Sequence, residues 1–386
     1  MTRAGIWQGR FQFIHKGHAH VFTEDLLKFD EKFIALVNPN PLIPAHDYER
    51  FDADYNPFTY FQRMLMWKVI ADDCGAQVNI FPCWHAKKVI AMENEFLPPQ
   101  NSRSWIIPIL QSLAEERKAK DLKSHGENIH EADFLAESTE IAAMSASQIR
   151  ASIQANNNMY KAYIPESILE LTKSMLKGTD DNTYYIVPYI GDTVDVYSLQ
   201  LAIDKLYESN MQENKAFIVV AIMVKVNNGE KKWISEDPKH TPWWFKEALH
   251  DNEDNQWKYY KKMQVINEFM KVNKISNYLI TPIFIMNDSF AELEQYCRTF
   301  LPDPNISTVK WIVNDTIPSY YRYGFNFYLG NNDFDKLSFS QKSVNISEKT
   351  MEFFTTALGK EFFYGNFSAA NAIAVKPSLL ELAMKV

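Results

Sequence analysis

Short apolar runs alternate with longer amphipathic segments through the first half of the chain. The runs at residues 4–7, 32–37 and 78–82 have the length and apolar character of buried strands, whereas residues 60–71 carry apolar side chains at helical spacing. A further apolar segment occupies residues 104–110. This alternation predicts an α/β domain in which helices cover both faces of a parallel sheet.

Three later segments complete this first domain. Residues 145–155 and 165–176 have the pattern of closing helices. Residues 118–140, which precede them, are polar and charged, and this composition predicts a loop or lid.

The second half of the chain repeats the first. A linker is predicted at residues 178–182, where small and polar residues follow one another. Beyond it, segments of the first half recur in the same order. Residues 185–188 match the first strand, and residues 217–221 match the strand that begins at 33. The later matches are 259–263 with 60–64, 281–284 with 81–84, 300–302 with 96–98, 311–313 with 105–107, and 377–382 with 165–171. Self-similarity that preserves order is typical of tandem duplication. The sequence therefore predicts two tandem Rossmann-like domains with parallel sheets, at residues 1–178 and 183–386.

Composition narrows the class of protein. With 386 residues, 46% of them hydrophobic, the chain is long enough for two sizeable cores. Its formal charge of -8 argues against broad nucleic-acid binding, which needs clustered lysine and arginine. The 3 cysteines lack metal-ligand spacing and are too few for a disulfide framework. No run resembles a signal peptide or a membrane span, so we expect a cytoplasmic protein that binds no membrane.

The segment after the first strand carries the candidate chemistry. It reads Gly-Arg-Phe-Gln-Phe-Ile-His-Lys-Gly-His at residues 9–18. Gly17 would let the backbone approach a phosphate, and the following helix N-terminus offers free N–H groups and partial positive charge. His15 and His18 can donate hydrogen bonds to phosphate oxygens, and an imidazole beside polyphosphate is more readily protonated. The segment predicts a nucleotidyltransferase, which moves a nucleoside monophosphate from a triphosphate onto an acceptor.

A second motif opens a late helix. Ser145 and Ser147 can add hydroxyl or N–H donors, and Arg150 can hold β- or γ-phosphate oxygens with its planar guanidinium. Histidine pairs at this spacing also occur as helix caps or surface residues. The glycine between them, the preceding strand and this downstream motif favour phosphate binding.

These motifs resemble the archaeal type of nicotinamide-mononucleotide adenylyltransferase, within the HxGH nucleotidyltransferase superfamily. The resemblance covers about residues 1–176 and is carried by segments 9–12, 15–18, 56–59 with Arg63, 144–150 and 163–167. It implies that ATP is bound by Gly9, Arg10, Phe11, Gln12 and Gly17, joined by Ser145 and Ser147. It also implies that His15 and His18 act on the phosphates, that Arg150 binds the triphosphate, and that Mg2+ accompanies it.

Departures from that family's pattern concern the acceptor. Phe13 and Ile14 replace its usual Pro-Phe, and residues 55–56 read Tyr-Asn where Arg-Asp is typical, which removes a phosphate ligand. Residues 83–87 lack its usual acidic residue, and Trp84 there either stacks on a base or packs in the core. The motifs thus indicate triphosphate chemistry and leave open both the acceptor and the choice between ATP and CTP.

The second half lacks the phosphate-binding groups. Aligned on the first strand, residues 15–18 fall opposite 195–198, which read Asp-Val-Tyr-Ser, and the serine–arginine motif falls near 347–352. Both histidines and the arginine are absent there. We expect a degenerate, non-catalytic copy that makes one chain a pseudo-dimer, and association of whole chains into a homo-oligomer is left open.

Three functions are consistent with these patterns, and each has small-molecule nucleotides as ligands. The first is adenylyl transfer from ATP to nicotinamide mononucleotide, giving NAD and pyrophosphate. The second is adenylyl or cytidylyl transfer to another phosphorylated or phosphonate acceptor, and the third is a nucleotide-sensing regulator. His125 and His130 lie near acidic residues but without compact ligand spacing, so no metal site made by protein side chains is predicted.

Overall fold

The computed structural model describes residues 3–38, 56–83, 96–108, 113–132, 146–155, 157–189, 195–211, 215–226, 259–286, 290–314, 336–339, 344, 346–353 and 355–358. Its contacts divide the chain into two units, and the division between Asp180 and Asp181 lies inside the predicted linker. Each unit contains its own sheet.

The first unit is built around a parallel five-stranded sheet. Its strands are β1 (Ala4–Gly9), β2 (Glu31–Val37), β3 (Asn79–Cys83), β4 (Arg103–Pro108) and β5 (Asn128–Ala132). They lie in the order β3-β2-β1-β4-β5, with Ala4 of β1 opposite Glu31 of β2 and Arg103 of β4. Strands β1, β2 and β3 are almost wholly buried, which explains their continuous apolar runs.

Helices follow the strands of this sheet. They are α1 (Lys16–Glu24), α2 (Tyr60–Asp73), α3 (Leu113–Ser124), α4 (Ala146–Gln154) and α5 (Leu169–Leu176). Thr59 caps α2, because its Oγ1 accepts the N–H of Gln62 while the Gln62 side chain accepts the N–H of Thr59. Trp67 of α2 is fully buried and packs edge-on against Trp7 of β1, with ring centroids 5.6 Å apart. This contact fixes α2 against the strand that leads to the candidate loop.

The predicted loop at residues 118–140 is wrong over its described part. Residues 118–124 belong to α3, and residues 128–132 form β5. Strand β5 lies at the edge of the sheet, and of its residues Ala132 alone is fully buried. A strand that exposes most of its side chains tolerates polar residues, which made this segment resemble a loop. Residues 133–140 lie outside the described residues.

The second unit contains the second parallel sheet. Its strands are β6 (Thr183–Tyr189), β7 (Ala216–Val226), β8 (Tyr278–Met286), β9 (Thr308–Asn314) and β10 (Lys336–Phe339). Its helices are α6 (Val196–Met211), α7 (Tyr259–Val272), α8 (Phe290–Phe300) and α9 (Glu348–Phe353).

The two sheets have the same strand order. The second runs β8-β7-β6-β9-β10, and Thr183 of β6 lies opposite Ala216 and Thr308 just as Ala4 lies opposite Glu31 and Arg103. The predicted α/β class with two parallel sheets is confirmed. In each sheet the strand order reverses beside the first strand, and open parallel sheets bind ligands outside the carboxyl ends of their strands at such a point.

The helices within the described ranges are too short or too polar to cross a bilayer.

Candidate active site

The loop between β1 and α1 lies at the carboxyl edge of the first sheet. Strand β1 ends at Gly9, which is opposite Leu36 of β2, and α1 begins at Lys16. Gly17 is buried in the first turn of α1. The segment predicted to bind phosphate therefore occupies the edge where sheets of this topology bind ligands.

Phe11 and Phe13 give this loop its shape. Both have left-handed backbone conformations, with φ of 49° and 78°, which residues other than glycine rarely adopt. The ring of Phe11 packs edge-on against Trp7 and Trp67, at centroid distances of 4.9 and 5.0 Å. The ring of Phe13 packs in the same way against Phe58, at 5.0 Å. Burial of both rings offsets backbone strain that costs about 1–3 kcal/mol at each residue.

The left-handed conformation of Phe13 was not predicted from the sequence. Proline, the residue that the resembled family pattern has at this position, is locked at a φ of about −65° and could not adopt it. Because Phe13 stands in place of that proline, the loop has a backbone conformation that the family pattern does not allow.

Gln12 and Gly9 hold the loop in place. The Gln12 Nε2 donates to the carbonyl oxygen of Phe58 at 3.0 Å, and the N–H of Phe58 donates back to Gln12 Oε1 at 3.1 Å. A Cβ at Gly9 would lie 2.8 Å from Cζ of Phe11, so the close approach of that ring requires glycine. Arg10, between them, is exposed.

His15 and His18 lie together at the start of α1. Their rings are stacked, with centroids 3.7 Å apart and an interplanar angle of 24°. The N–H of His15 donates to Nδ1 of His18 at 3.4 Å. The His15 side chain in turn faces the backbone N–H of His18 in a capping-box arrangement, although buried Nδ1 of His15 makes no hydrogen bond of good geometry within the described part of the chain. A buried polar atom without a good hydrogen bond is costly, and a bound ligand is one way in which a native protein satisfies it.

Both imidazoles are neutral at pH 7 in the free protein. Burial lowers the pKa of His15 to about 4. Burial, together with the neighbouring His15, also lowers the pKa of His18 well below 6.5, against the opposing effect of a backbone hydrogen bond at Phe13. Because Nδ1 of His18 accepts a hydrogen bond, its neutral ring carries the proton on Nε2. The protonation that the sequence analysis predicts for these two histidines therefore applies only to the state in which polyphosphate is bound.

The lowered pKa of His15 predicts a loss of stability in weak acid. An unfolded histidine binds a proton below pH 6.5, whereas folded His15 does so only near pH 4. The free energy of unfolding therefore falls as the pH drops from 6.5 to 4, by about 3 kcal/mol from this residue. Denaturation by urea at pH 7 and pH 5 would measure the fall, and we expect it to be smaller in His15→Asn. An equal fall in both proteins would contradict the assignment.

The downstream motif is described in part. Arg150 lies in α4 and is half-buried, and Ser147 lies in the first turn of the same helix. The Ser147 side chain and the whole of Ser145 lie outside the described part of the chain. The structure therefore brings the two histidines together at α1, and the binding of triphosphate by the serine–arginine motif stays a prediction.

Arg63, to which sequence analysis assigned no role, is buried next to the loop at 1% exposure. Its Nη1 donates to the carbonyl oxygens of Arg10 at 2.6 Å and Val37 at 2.8 Å. Its Nη2 donates to Oδ1 of Asn38 at 2.6 Å, and its Nε to the carbonyl oxygen of Thr59 at 3.2 Å. Burial lowers the pKa of Arg63 to about 9, which leaves the guanidinium charged at pH 7.

The two histidines of the polar segment have local partners. Nε2 of His130 lies 3.0 Å from Oδ1 of Asp25, and Nδ1 of His125 lies 2.8 Å from the carbonyl oxygen of Asp121. Across the described ranges, no three His, Cys, Asp or Glu side chains come together as metal ligands.

In the second unit a carboxylate occupies the place of His15. Asp195 directly precedes α6, as His15 precedes α1. Its Oδ1 accepts the N–H groups of Tyr197 and Ser198 at 3.0 and 3.2 Å, and its Oδ2 accepts the Ser198 hydroxyl at 2.7 Å. The N-terminus of α6 is therefore capped by an anion of the chain itself.

Comparisons with known proteins give structural similarities alone, since no family model and no curated protein matches the sequence. One similar structure is a bifunctional NMN adenylyltransferase/ADP ribose pyrophosphatase from Francisella tularensis, complexed with AMP and a manganese ion. It is 15% identical with a TM-score of 0.31, over 59% of this chain and 62% of that chain. The chain thus spans less than two thirds of that protein.

Another similar structure is a NadR protein in complex with NAD and AMP-PNP. It is 12% identical with a TM-score of 0.28, over 95% of this chain and 89% of that chain. At these TM-scores neither similarity assigns a function to this chain.

Proposed function

We propose that the first unit is a nucleotidyltransferase that moves the adenylyl group of ATP onto nicotinamide mononucleotide, giving NAD and pyrophosphate. The observation that carries the proposal is the stacked pair of His15 and His18 at the N-terminus of α1. It lies at the carboxyl edge of an open parallel sheet, and buried Nδ1 of His15 makes no hydrogen bond of good geometry among the described residues. The motif resemblance at residues 9–18 supports the choice of substrates.

The reaction is an in-line displacement at the α-phosphorus. A phosphate oxygen of the acceptor forms a bond to that phosphorus, the bond to the α,β-bridging oxygen breaks, and pyrophosphate leaves with that oxygen. No covalent intermediate with the protein is needed. The protein therefore has to align the phosphates and stabilise the negative charge on the transferring group.

His15 and His18 would donate hydrogen bonds to the phosphate oxygens. The N-terminus of α1 adds a partial positive charge at the same place. Bound polyphosphate raises the pKa of a neighbouring imidazole, so binding favours the charged, stronger donors. Arg10 from the loop and Arg150 from α4, with Ser145 and Ser147, would hold the remaining phosphate oxygens.

Mg2+ would enter with the triphosphate, because phosphate oxygens are ligands that it prefers. The described residues offer no cluster of three acidic, histidine or cysteine side chains to hold it. We therefore assign no step to a metal held by the protein alone.

A different acceptor is the second candidate, with adenylyl or cytidylyl transfer to another phosphorylated or phosphonate compound. The left-handed backbone of Phe13, which the proline of the family pattern could not adopt, favours this candidate. The loop keeps its histidine pair while its backbone departs from that pattern two residues earlier.

The second unit is proposed to be a non-catalytic copy that makes one chain a pseudo-dimer. Asp195 supports this, since a half-buried carboxylate at the start of α6 would repel a phosphate. A second contact links α6 to α9: Oε1 of Gln200 accepts the hydroxyls of Ser347 at 3.0 Å and Thr350 at 2.7 Å. These bonds join α6 to the segment near residues 347–352, which the sequence comparison places opposite the serine–arginine motif of the first unit.

Release of pyrophosphate by the full chain tests the proposed function. We expect release from ATP with nicotinamide mononucleotide, and none from ATP alone. Release with CTP, or with another phosphorylated or phosphonate acceptor, would favour the second candidate. Binding of ATP without release in any pair would contradict enzymatic activity and favour a nucleotide sensor.

A further inference from the structure

Arg63 joins three segments at the carboxyl edge of the first sheet. Its bonds reach Arg10 in the loop, Val37 and Asn38 at the end of β2, and Thr59 at the start of α2. Each of these acceptors is an uncharged oxygen. A buried guanidinium loses much of its solvation free energy. Hydrogen bonds to neutral carbonyl and amide oxygens offset this loss less than a carboxylate does. Its contacts therefore suit a residue that fixes local geometry rather than one that adds overall stability.

The same helix start holds the loop at two points. Arg63 binds the carbonyl oxygen of Arg10, directly before the left-handed Phe11. Phe58 exchanges two hydrogen bonds with Gln12, directly after it. A strained backbone persists only where its surroundings determine it from several sides. Residues 58–63 therefore impose the conformation that leads the chain to His15 and His18.

The second unit provides an internal comparison. Lys262 is the fourth residue of α7, as Arg63 is the fourth residue of α2. It too is buried, at 2% exposure, and its Nζ lies 5.5 Å from the ring centroid of Tyr189. By sheet register Tyr189 corresponds to Arg10. The fold thus keeps a buried cation at this place in both units, but the forked guanidinium occurs in the unit that has the histidine pair.

We propose that Arg63 is a positioning residue for the transfer reaction: it touches no substrate, and it holds residues 10–15 so that His15 and His18 are placed before the nucleotide binds. This proposal rests on the proposed function of the first unit. Lysine cannot replace arginine here, because a single ammonium group cannot reach acceptors on three segments in a fixed plane.

Arg63→Lys tests the proposal, with Arg103→Lys as its matched control. Arg103 is a buried arginine of the same unit, at 3% exposure, but it lies at the amino edge of the sheet, where β4 begins. Both changes remove guanidinium hydrogen bonds and keep the charge, so both should lower the melting temperature. Only Arg63→Lys should speed amide hydrogen exchange in residues 9–18, and only it should lower kcat, by about 100-fold, as expected when reacting groups are misplaced by about 1 Å.

Two results would overturn the proposal, and two further results have their own controls. Equal exchange at residues 9–18 in both variants, or an unchanged kcat in Arg63→Lys, would overturn the proposal. If Arg63→Lys does not fold, Asn38→Ala removes a single acceptor, and it should still speed exchange in the loop. If the unaltered protein releases no pyrophosphate, the proposed function fails, while the exchange experiment still decides whether Arg63 holds the loop.

Discussion

Replacing His18 with alanine is expected to lower the kcat of nucleotidyl transfer about 100- to 1,000-fold, which is the usual effect of removing one preorganised donor to a developing charge. The His18 ring lies 3.7 Å from that of His15 and 5.1 Å from that of Phe11, so its position is fixed before any ligand arrives. A fixed donor needs no reorganisation during the reaction, which is why its removal is costly. Steady-state rates of pyrophosphate release would measure the change.

His20→Ala is the matched control for this prediction. His20 is a half-buried histidine of the same helix, two residues further along. We expect its replacement to leave kcat near that of the unaltered protein. Loss of the packed His18 ring should lower the melting temperature, so the rates would be compared at a temperature where both variants are fully folded, and lost activity can then be assigned to the missing imidazole. Full activity in His18→Ala would rule out the proposed role of that residue.

The parts of the fold that follow from local pattern were predicted from the sequence. Strands β1 and β2 are buried on both faces, and they therefore appear as continuous apolar runs. The position of the histidine loop follows from the strand before it and the helix after it. Strand β5 was not predicted. It is an edge strand that exposes most of its side chains, so its sequence contains no continuous apolar run.

The details of the candidate site depend on contacts between distant residues. The left-handed conformation of Phe11 depends on Trp67 and on the carbonyl bond from Arg63, both more than 50 positions away. Residue type alone argues against that conformation, since phenylalanine rarely adopts it. The single sequence therefore indicated which residues to propose as phosphate ligands and could not indicate what holds them in place.

Glu127→Gln is expected to destabilise the first unit by about 3–5 kcal/mol, because it leaves the charge of Arg103 buried without a carboxylate to balance it. Oε1 and Oε2 of Glu127 accept Nη2 and Nε of Arg103 at 2.5 and 3.0 Å, and Oε2 also accepts Nε1 of Trp105 at 2.8 Å. The two charged side chains are 2% and 0% exposed. These contacts join β4 to the start of β5, so their loss should weaken the half of the sheet that includes the reversal of strand order.

Hydrogen exchange at increasing urea concentration would follow the two units of the full chain separately. The control is Glu131→Gln in β5, four residues further along, whose ion pair with Lys123 is 3.9 Å long and largely exposed. This change should alter stability by less than about 1 kcal/mol. Burial alone would raise the pKa of Glu127, but Arg103 outweighs it and holds that pKa below 4.5. The stabilisation is therefore present above pH 4.5 and lost as the pH falls through the folded pKa, and Glu127→Gln should remove this acid dependence. Similar stability in the two glutamine variants at pH 7 would mean that the buried pair does not hold β4 and β5 together.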